Sequence, residues 1–145
     1  MKDGEMIASV DLGSNSFHML VARVQAGQLQ LVDRMKEMVR LAGGLNKHGY
    51  LSEAAMERGV ACLERFGQRL SGMPRGRVRI VGTNTLRAAK NGHEFIKRAQ
   101  RAIGHPIEII AGREEARLVY LGVAHSDTPV DGRRLVVDIG GGSTE

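Results

Sequence analysis

Two copies of one short motif stand near the two ends of the 145-residue chain. The first copy reads VDLGSNS at residues 10–16, and the second reads VDIGGGS at residues 137–143. Each copy follows an apolar run that predicts a buried strand, and its glycines predict the tight turn that ends the strand. Asp, Gly and Ser recur in the same frame, which indicates two duplicated lobes that face a common ligand. The second lobe would begin at Val137.

Both turns have the composition of phosphate-binding loops. A glycine-rich turn at the carboxyl end of a strand directs successive backbone N–H groups into one concavity, where no side chain blocks a phosphate. Hydroxyl and amide side chains add further donors. The predicted phosphate-binding residues of the turns are Gly13, Ser14, Asn15, Ser16, Gly140, Gly141, Gly142, Ser143 and Thr144. A pair of purely structural β-turns is the alternative, and the recurrence of the motif disfavours it.

Carboxylates inside phosphate-binding turns should repel the ligand, and three of them stand here, namely Asp11, Asp138 and Glu145. A divalent cation would explain them. Mg²⁺ takes hard oxygen ligands, keeps several waters and bridges carboxylate to phosphate. We therefore predict Mg²⁺ ligation by Asp138 and Glu145, with Asp11 nearby. In the alternative interpretation, Asp11 or Asp138 caps its own turn through backbone N–H groups.

Further charged residues are expected at the same sheet edge. Glu114 and Glu115 stand in the first turn of a helix predicted directly after a strand, and either could be a catalytic base. Adjacent helical residues point about 100° apart, so at most one of them can face the phosphate. The helix macrodipole also favours acidic residues there without any catalytic role. Arg87, which follows another strand, is either a phosphate clamp or an ordinary surface arginine.

The whole chain predicts an α/β fold with the order βββαβαβα and a mixed five-stranded sheet. The predicted strands are residues 6–10, 17–24, 29–39, 78–81 and 107–110, and a further strand starts at residues 135–137. Residues 1–132 would form one lobe, and residues 133–145 would supply the first strand and phosphate loop of a second, similar lobe that is truncated. A lone strand and turn cannot complete a second core.

Turn and cap signals divide these elements. Ala26 and Gly27 predict a hairpin between the second and third strands. Ser52 predicts a helix N-cap, and Asn91 with Glu94 has the spacing of a capping box. The third helix is expected to begin near residues 113–114.

The charge balance favours a polyanionic partner. The net charge is +5 and the isoelectric point is near 9.9. Aromatic residues make up only 3% of the chain and Trp is absent, which disfavours a nucleic-acid partner, because single-strand binders stack bases on aromatic side chains. No run of 18 apolar residues predicts a membrane span.

Cysteine and histidine usage excludes other site classes. Cys62 is the sole cysteine, so neither an intrachain disulfide nor a cysteine-based zinc site is expected, and the protein is predicted to be cytoplasmic. Cys62 itself is interpreted as a buried spectator. His18 alternates with apolar residues on a strand and is interpreted as a core or supporting residue rather than a catalyst. The remaining histidines, interpreted as solvated, are His48, His93, His105 and His125.

Four ordered blocks, DLGSNSFHM, GTNTLR, IIAGREEARL and DIGGGSTE, resemble the exopolyphosphatase and guanosine pentaphosphate phosphohydrolase family, from about Ala8 to Glu145. That family belongs to the actin-like ATPase and sugar kinase superfamily, whose ribonuclease H-like lobes agree with the predicted order. The resemblance implies that Glu115 activates water. It also implies that Asp138, Gly140 and Glu145 serve metal and phosphate binding, that residues 13–16 form the first phosphate loop, and that Arg87 contacts phosphate.

The expected function is therefore an exopolyphosphatase that releases terminal orthophosphate from inorganic polyphosphate. A guanosine pentaphosphate 5′-phosphohydrolase has the same loops and stays open as an alternative. An ATP-binding kinase-like protein and a non-catalytic polyanion binder are the remaining classes. The 145-residue chain alone is expected to be nearly inactive, since half of the cleft wall would be missing. The sequence does not determine the oligomeric state, and a homodimer of the full-length protein is one option.

Overall fold

The computed structural model describes residues 2–126 and 132–145, which fold around one mixed sheet. The strands are β1 (Met6–Leu12), β2 (Phe17–Gln25), β3 (Gln28–Glu37), β4 (Val78–Gly82) and β5 (Glu108–Ile109). The helices are α1 (Glu53–Leu70), α2 (Asn84–Ala88), α3 (Gly92–Ile103) and α4 (Gly112–Ser126). In the sheet order β3-β2-β1-β4-β5, β1 pairs antiparallel with β2 and parallel with β4. The predicted α/β class and element order are confirmed, with α2 as an additional short helix.

Side chains of β1 alternate between the two faces of the sheet. Ala8, Val10 and Leu12 are buried in the core, whereas Ser9 and Asp11 lie on the opposite face. This is the period of two that every strand imposes. The core face packs against α1 and α3. The alternation therefore places Asp11, near the carboxyl end of β1, outside the core.

The β2–β3 hairpin closes through the two residues predicted for it. Ala26 has φ 50° and Gly27 has φ 74°. A two-residue turn with positive φ at both positions matches the right-handed twist of the strands it joins. β3 ends at Glu37, earlier than predicted, because Val39 leaves the sheet for the core and Arg40 turns the chain with φ 53°.

One of the two predicted helix caps forms. The Ser52 hydroxyl accepts a hydrogen bond from the backbone N–H of Ala55 at 3.3 Å, as predicted for α1. The predicted capping box of α3 is wrong, because Asn91 makes no side-chain cap bond. Its amide instead pairs with both backbone groups of Leu51, at 2.8 and 3.0 Å. A contact across 40 residues of sequence replaces the local one.

Two side chains that the sequence analysis assigned no role are buried. Cys62 is fully buried, as predicted, and burial followed by the Glu37 carboxylate raises its thiol pKa to about 12. The interpretation of His105 as solvated is wrong, since only 7% of the residue is exposed and its Nδ1 has no hydrogen-bond partner among the residues described. Gly104, with φ 77°, turns the chain back after α3 and carries His105 inward.

The strand predicted from residue 135 does not form within the described residues. Leu135 is 87% exposed and Val137 is 56% exposed, and neither belongs to a strand. Among residues 2–126 and 132–145, no strand lies beside this run to pair with it. The predicted boundary at residues 132/133 adjoins residues 127–131, which lie outside the described residues. None of the helices described is both long and apolar enough to cross a membrane.

Two helical glycines should respond oppositely to alanine. A Cβ on Gly67 of α1 would lie 2.8 Å from the backbone oxygen of Ala102, whereas a Cβ on Gly122 of α4 would meet nothing within 4 Å in the described part of the chain. Gly67→Ala should therefore lower the unfolding free energy by about 1–3 kcal/mol through overpacking. Gly122→Ala should raise it by up to about 1 kcal/mol through helix propensity. Urea unfolding of both variants measures the difference, and equal effects would contradict the close α1–α3 packing.

Candidate active site

Both glycine turns open onto one cavity of about 200 Å³. The lining residues are Asp11, Gly13, Ser14, Asn15, Ser16, His18, Thr83, Glu115, Asp138, Gly140, Gly141, Gly142, Ser143 and Glu145. The cavity lies at the carboxyl ends of the parallel strands β1 and β4, where α/β sheets place their ligands. Of the predicted site residues, only Arg87 and Thr144 lie outside this lining. Two hollows of about 600 and 570 Å³ lie on the outer sheet face, and most of the surface that they expose is apolar.

The first loop is held from outside by the segment that follows β3. The carbonyl of Ser14 accepts from the Ala42 N–H at 2.9 Å, and the carbonyl of Asn15 accepts from the Arg40 N–H at 2.8 Å. In a trans peptide the N–H points opposite to the C=O. The N–H groups of Asn15 and Ser16 therefore point away from that segment. The loop thus presents donors rather than acceptors to a ligand on its other side.

The second loop is a tight antiparallel turn. The backbone groups of Asp138 and Glu145 exchange two hydrogen bonds of 3.0 Å, and the Gly140 N–H donates to the Ser143 carbonyl at 2.9 Å. Ile139 and Thr144 form the bridge between these pairs. The turn therefore brings Asp138 of the second motif and Glu145, which follows that motif, to paired positions on its two arms.

The two loops touch each other, and glycine makes the contact feasible. A Cβ on Gly141 would lie 2.8 Å from the Asn15 Cβ, and a Cβ on Gly142 would lie 2.6 Å from the Ser14 Oγ. Real Cβ atoms cannot approach so closely without displacement of the neighbour. Gly141 and Gly142 of the second motif are therefore required by packing against the first motif.

Helix α2 connects to both loops through two consecutive side chains. Asn84 Nδ2 donates to the Gly142 carbonyl at 2.6 Å. The Thr85 hydroxyl, which is buried, donates to the Ser14 hydroxyl at 2.7 Å. The short helix α2 thus fixes the relative position of the two loops.

Only one acid of the Glu114–Glu115 pair faces the cavity. Glu115 lines it with a side chain that is 15% exposed. Glu114 turns outward, where Arg117 donates two hydrogen bonds of 2.8 Å to its carboxylate. The expectation that at most one of the two can face the ligand is confirmed.

Arg87 stands behind Glu115 rather than in the cavity wall. Its Nη1 donates to the Glu115 carboxylate at 2.9 Å and to the Ile110 carbonyl at 2.8 Å. Its Nη2 lies 3.8 Å from the Glu145 carboxylate. In this structure the guanidinium orients Glu115 by tying it to the backbone before α4. The phosphate contact implied for Arg87 by resemblance stays a prediction.

Acidic groups crowd the cavity. Burial, followed by the Glu115 and Asp138 carboxylates, raises the pKa of Asp11 from 3.8 to about 6. Asp11 keeps access to solvent through the cavity mouth, yet the surrounding loops desolvate it. Like charges at close range disfavour ionisation of each. When these carboxylates are all ionised, their repulsion destabilises the folded chain unless a bound cation or proton balances the negative charge.

The donor set suits Mg²⁺, although it forms no complete cage. Within residues 2–126 and 132–145, no group of three or more His, Cys, Asp or Glu side chains is arranged to hold a metal. Mg²⁺ does not need such a cage, because it keeps several waters and binds through one or two carboxylates plus substrate phosphates. Asp138 and Glu145, with Asp11 beside them in the cavity wall, fit that mode.

Two cavity residues, Thr83 and His18, were not among the predicted site residues. His18 Nε2 lies 2.8 Å from the Ser16 hydroxyl. Burial, followed by Lys36 and Arg34, lowers the His18 pKa. The signal in the sequence was the spacing, since Ser16 directly precedes β2 and residues two apart along an extended chain share a face.

Residues 20–145 match the Ppx/GppA phosphatase family. The chain belongs to this family. Among solved structures, the Ppx/GppA enzyme of Aquifex aeolicus is 34% identical with a TM-score of 0.85, over 96% of this chain and 46% of that one. An exopolyphosphatase from Cytophaga hutchinsonii is 31% identical with a TM-score of 0.88, over 97% of this chain and 45% of that one. The chain therefore spans about half the length of these family members.

The family membership also confirms the ribonuclease H-like lobe and the actin-like ATPase superfamily. A more distant likeness concerns the fold alone. Nucleoside triphosphate hydrolases from Neospora caninum are 14% identical with a TM-score of 0.51, over 97% of this chain and 34% of theirs.

The raised pKa of Asp11 predicts a pH-dependent stability. Because the pKa of Asp11 is about 6 in the folded chain and 3.8 in a free side chain, the folded chain binds more protons between these values. Its unfolding free energy, without divalent cations, should contain a contribution that falls as pH rises through this window. Asp11→Asn should remove that contribution and raise stability at pH 7 more than at pH 4. Chemical denaturation across this range measures it, with Asp3→Asn, at an exposed turn, as the control. A gain for Asp11→Asn that is equal at both pH values would contradict the raised pKa of Asp11.

Proposed function

We propose that this chain is the N-terminal lobe of an exopolyphosphatase, which releases terminal orthophosphate from inorganic polyphosphate by attack of water assisted by Mg²⁺. One observation carries the proposal: the two glycine loops and Glu115 line the same small cavity. The cavity is thereby surrounded by backbone N–H groups, by hydroxyl groups and by a carboxylate that can accept a proton. The likeness to an exopolyphosphatase from Cytophaga hutchinsonii supports the same chemistry.

In the proposed reaction, Glu115 orients water and accepts its proton. Arg87 engages the Oε2 atom of Glu115, which leaves the other carboxylate oxygen for the water. The same bond restricts the carboxylate rotamer, so that the base is oriented before substrate arrives. Phosphoryl transfer depends mainly on such positioning and on stabilisation of charge.

The loops would stabilise the phosphate undergoing attack. Their N–H groups supply fixed donors whose orientation does not change during the reaction, which is the basis of oxyanion stabilisation. When bound, Mg²⁺ would be held by Asp138 and Glu145, with Asp11 nearby, and would neutralise charge on phosphate oxygens. It would also relieve the repulsion by Glu115 and Asp138 that adds to burial in raising the Asp11 pKa.

Glu115 and its neighbour form a matched pair for testing the base. In the natural full-length protein, Glu115→Gln should lower the rate of phosphate release by about a hundredfold or more, the usual contribution of a general base. Glu114→Gln should leave the rate close to that of the wild type, because Glu114 bonds to Arg117 outside the cavity. Malachite-green detection of phosphate measures both rates. Similar losses in the two variants would contradict the assignment of the base.

The substrate is tested by direct competition between candidates. Long-chain polyphosphate, guanosine pentaphosphate and ATP would be compared at equal concentrations of cleavable phosphate, with Mg²⁺ and with excess chelator. We expect the highest kcat/KM for polyphosphate and loss of release with chelator. Preference for guanosine pentaphosphate would replace the proposed substrate while retaining the chemistry. Turnover of ATP alone would contradict the proposal, and the 145-residue chain alone should be nearly inactive.

A further inference from the structure

The Ser16 hydroxyl of the first loop contacts a side chain of strand β2, that of His18. Its Oγ lies 2.8 Å from His18 Nε2, and both residues are half-buried in the cavity lining. The Ser16 carbonyl also accepts from the Gly13 N–H at 3.2 Å, which closes the loop. Ser16 is therefore bound through its backbone on one side and through its side chain on the other.

The strand register determines where His18 can reach. His18 lies directly opposite Asp11 in the β1–β2 pair, so both side chains rise on the face away from the core. The flanking β2 residues Phe17 and Met19 are fully buried on the core face. Because these two residues anchor the strand, the imidazole has a defined position beneath the loop.

We infer that His18 is a positioning residue that makes the Ser16 hydroxyl a hydrogen-bond donor to a phosphate oxygen of the substrate. A hydroxyl has one proton, and it binds phosphate as a donor only if its own oxygen accepts from elsewhere or stays free. In the inferred arrangement, His18 carries a proton on Nε2 and donates it to the Ser16 oxygen, which directs the hydroxyl proton towards the cavity. Consecutive donors of this kind strengthen each other.

The arrangement does not depend on the charge of the imidazole. A neutral ring protonated at Nε2 and a fully protonated ring both present the required N–H. The Ser14 hydroxyl of the same loop likewise accepts a hydrogen bond, from the Thr85 hydroxyl at 2.7 Å. In the inferred arrangement, both hydroxyls of the loop thus accept a hydrogen bond from the protein and can donate to the ligand.

The inference rests on the proposed function for its substrate class, and three substitutions in the natural full-length protein test it. His18→Phe keeps a ring without a donor and should raise KM for polyphosphate about tenfold, the loss expected for one hydrogen bond to a charged group, with kcat nearly unchanged. His18→Gln places an amide N–H near the Nε2 position. It should restore KM to within about threefold of wild type, because the amide replaces most of the lost hydrogen bond. Ser16→Ala should match His18→Phe.

The double variant separates positioning from a general structural role. If His18 acts through Ser16, His18→Phe should add nothing to the KM of Ser16→Ala, because both changes remove the same interaction. Additive effects, or equal losses in His18→Phe and His18→Gln, would overturn the inference. Urea unfolding of each variant identifies any loss of affinity that arises from misfolding. If His18→Phe is misfolded, recovery of KM in His18→Gln decides whether the donor N–H matters.

A binding measurement keeps this inference distinct from the proposed activity. Calorimetric titration with inorganic triphosphate and Mg²⁺ should show the same tenfold loss for His18→Phe and the same recovery for His18→Gln. If the wild type fails to hydrolyse polyphosphate but this pattern holds, the proposed reaction fails and the positioning role stands. If hydrolysis occurs but the pattern is absent, the positioning role fails alone.

Discussion

The close approach of two glycine loops is the constraint on which the rest of the site depends. Gly142 comes so near Ser14 that a single Cβ would collide with its hydroxyl. Asn84 and Thr85 of α2 hold the two loops in that approach through hydrogen bonds of 2.6 and 2.7 Å. A cavity with donors on both walls exists only because no side chain separates the loops.

That approach has an electrostatic cost. It gathers the carboxylates of Asp11, Glu115, Asp138 and Glu145 around about 200 Å³. Burial, followed by repulsion from Glu115 and Asp138, raises the pKa of Asp11, and Arg87 offsets part of the repulsion by pairing with Glu115. A site of this charge can accept a polyphosphate only together with a cation, which connects the proposed Mg²⁺ to the proposed substrate.

The supporting residues share one purpose, namely orientation. Arg87 ties Glu115 to the backbone, and Thr85 and His18 each engage a hydroxyl of the first loop. Reactions that depend on positioning gain most from groups whose orientation is established before the ligand arrives. The net positive charge of the chain is expected to attract a polyanion. That role differs from the role of the acidic cavity, in which the end of the polyanion would react.

The sequence by itself determined the element order, the hairpin at residues 26–27, the cap at Ser52 and the positions of the two loops, because these follow from local periodicity and turn chemistry. Only the tertiary structure decided that Arg87 lies behind Glu115, that Asn91 binds Leu51 and that His105 is buried. Each of these outcomes depends on how distant segments pack together. The orientation of a side chain towards a segment far along the chain leaves no local pattern, so no periodicity could have indicated it.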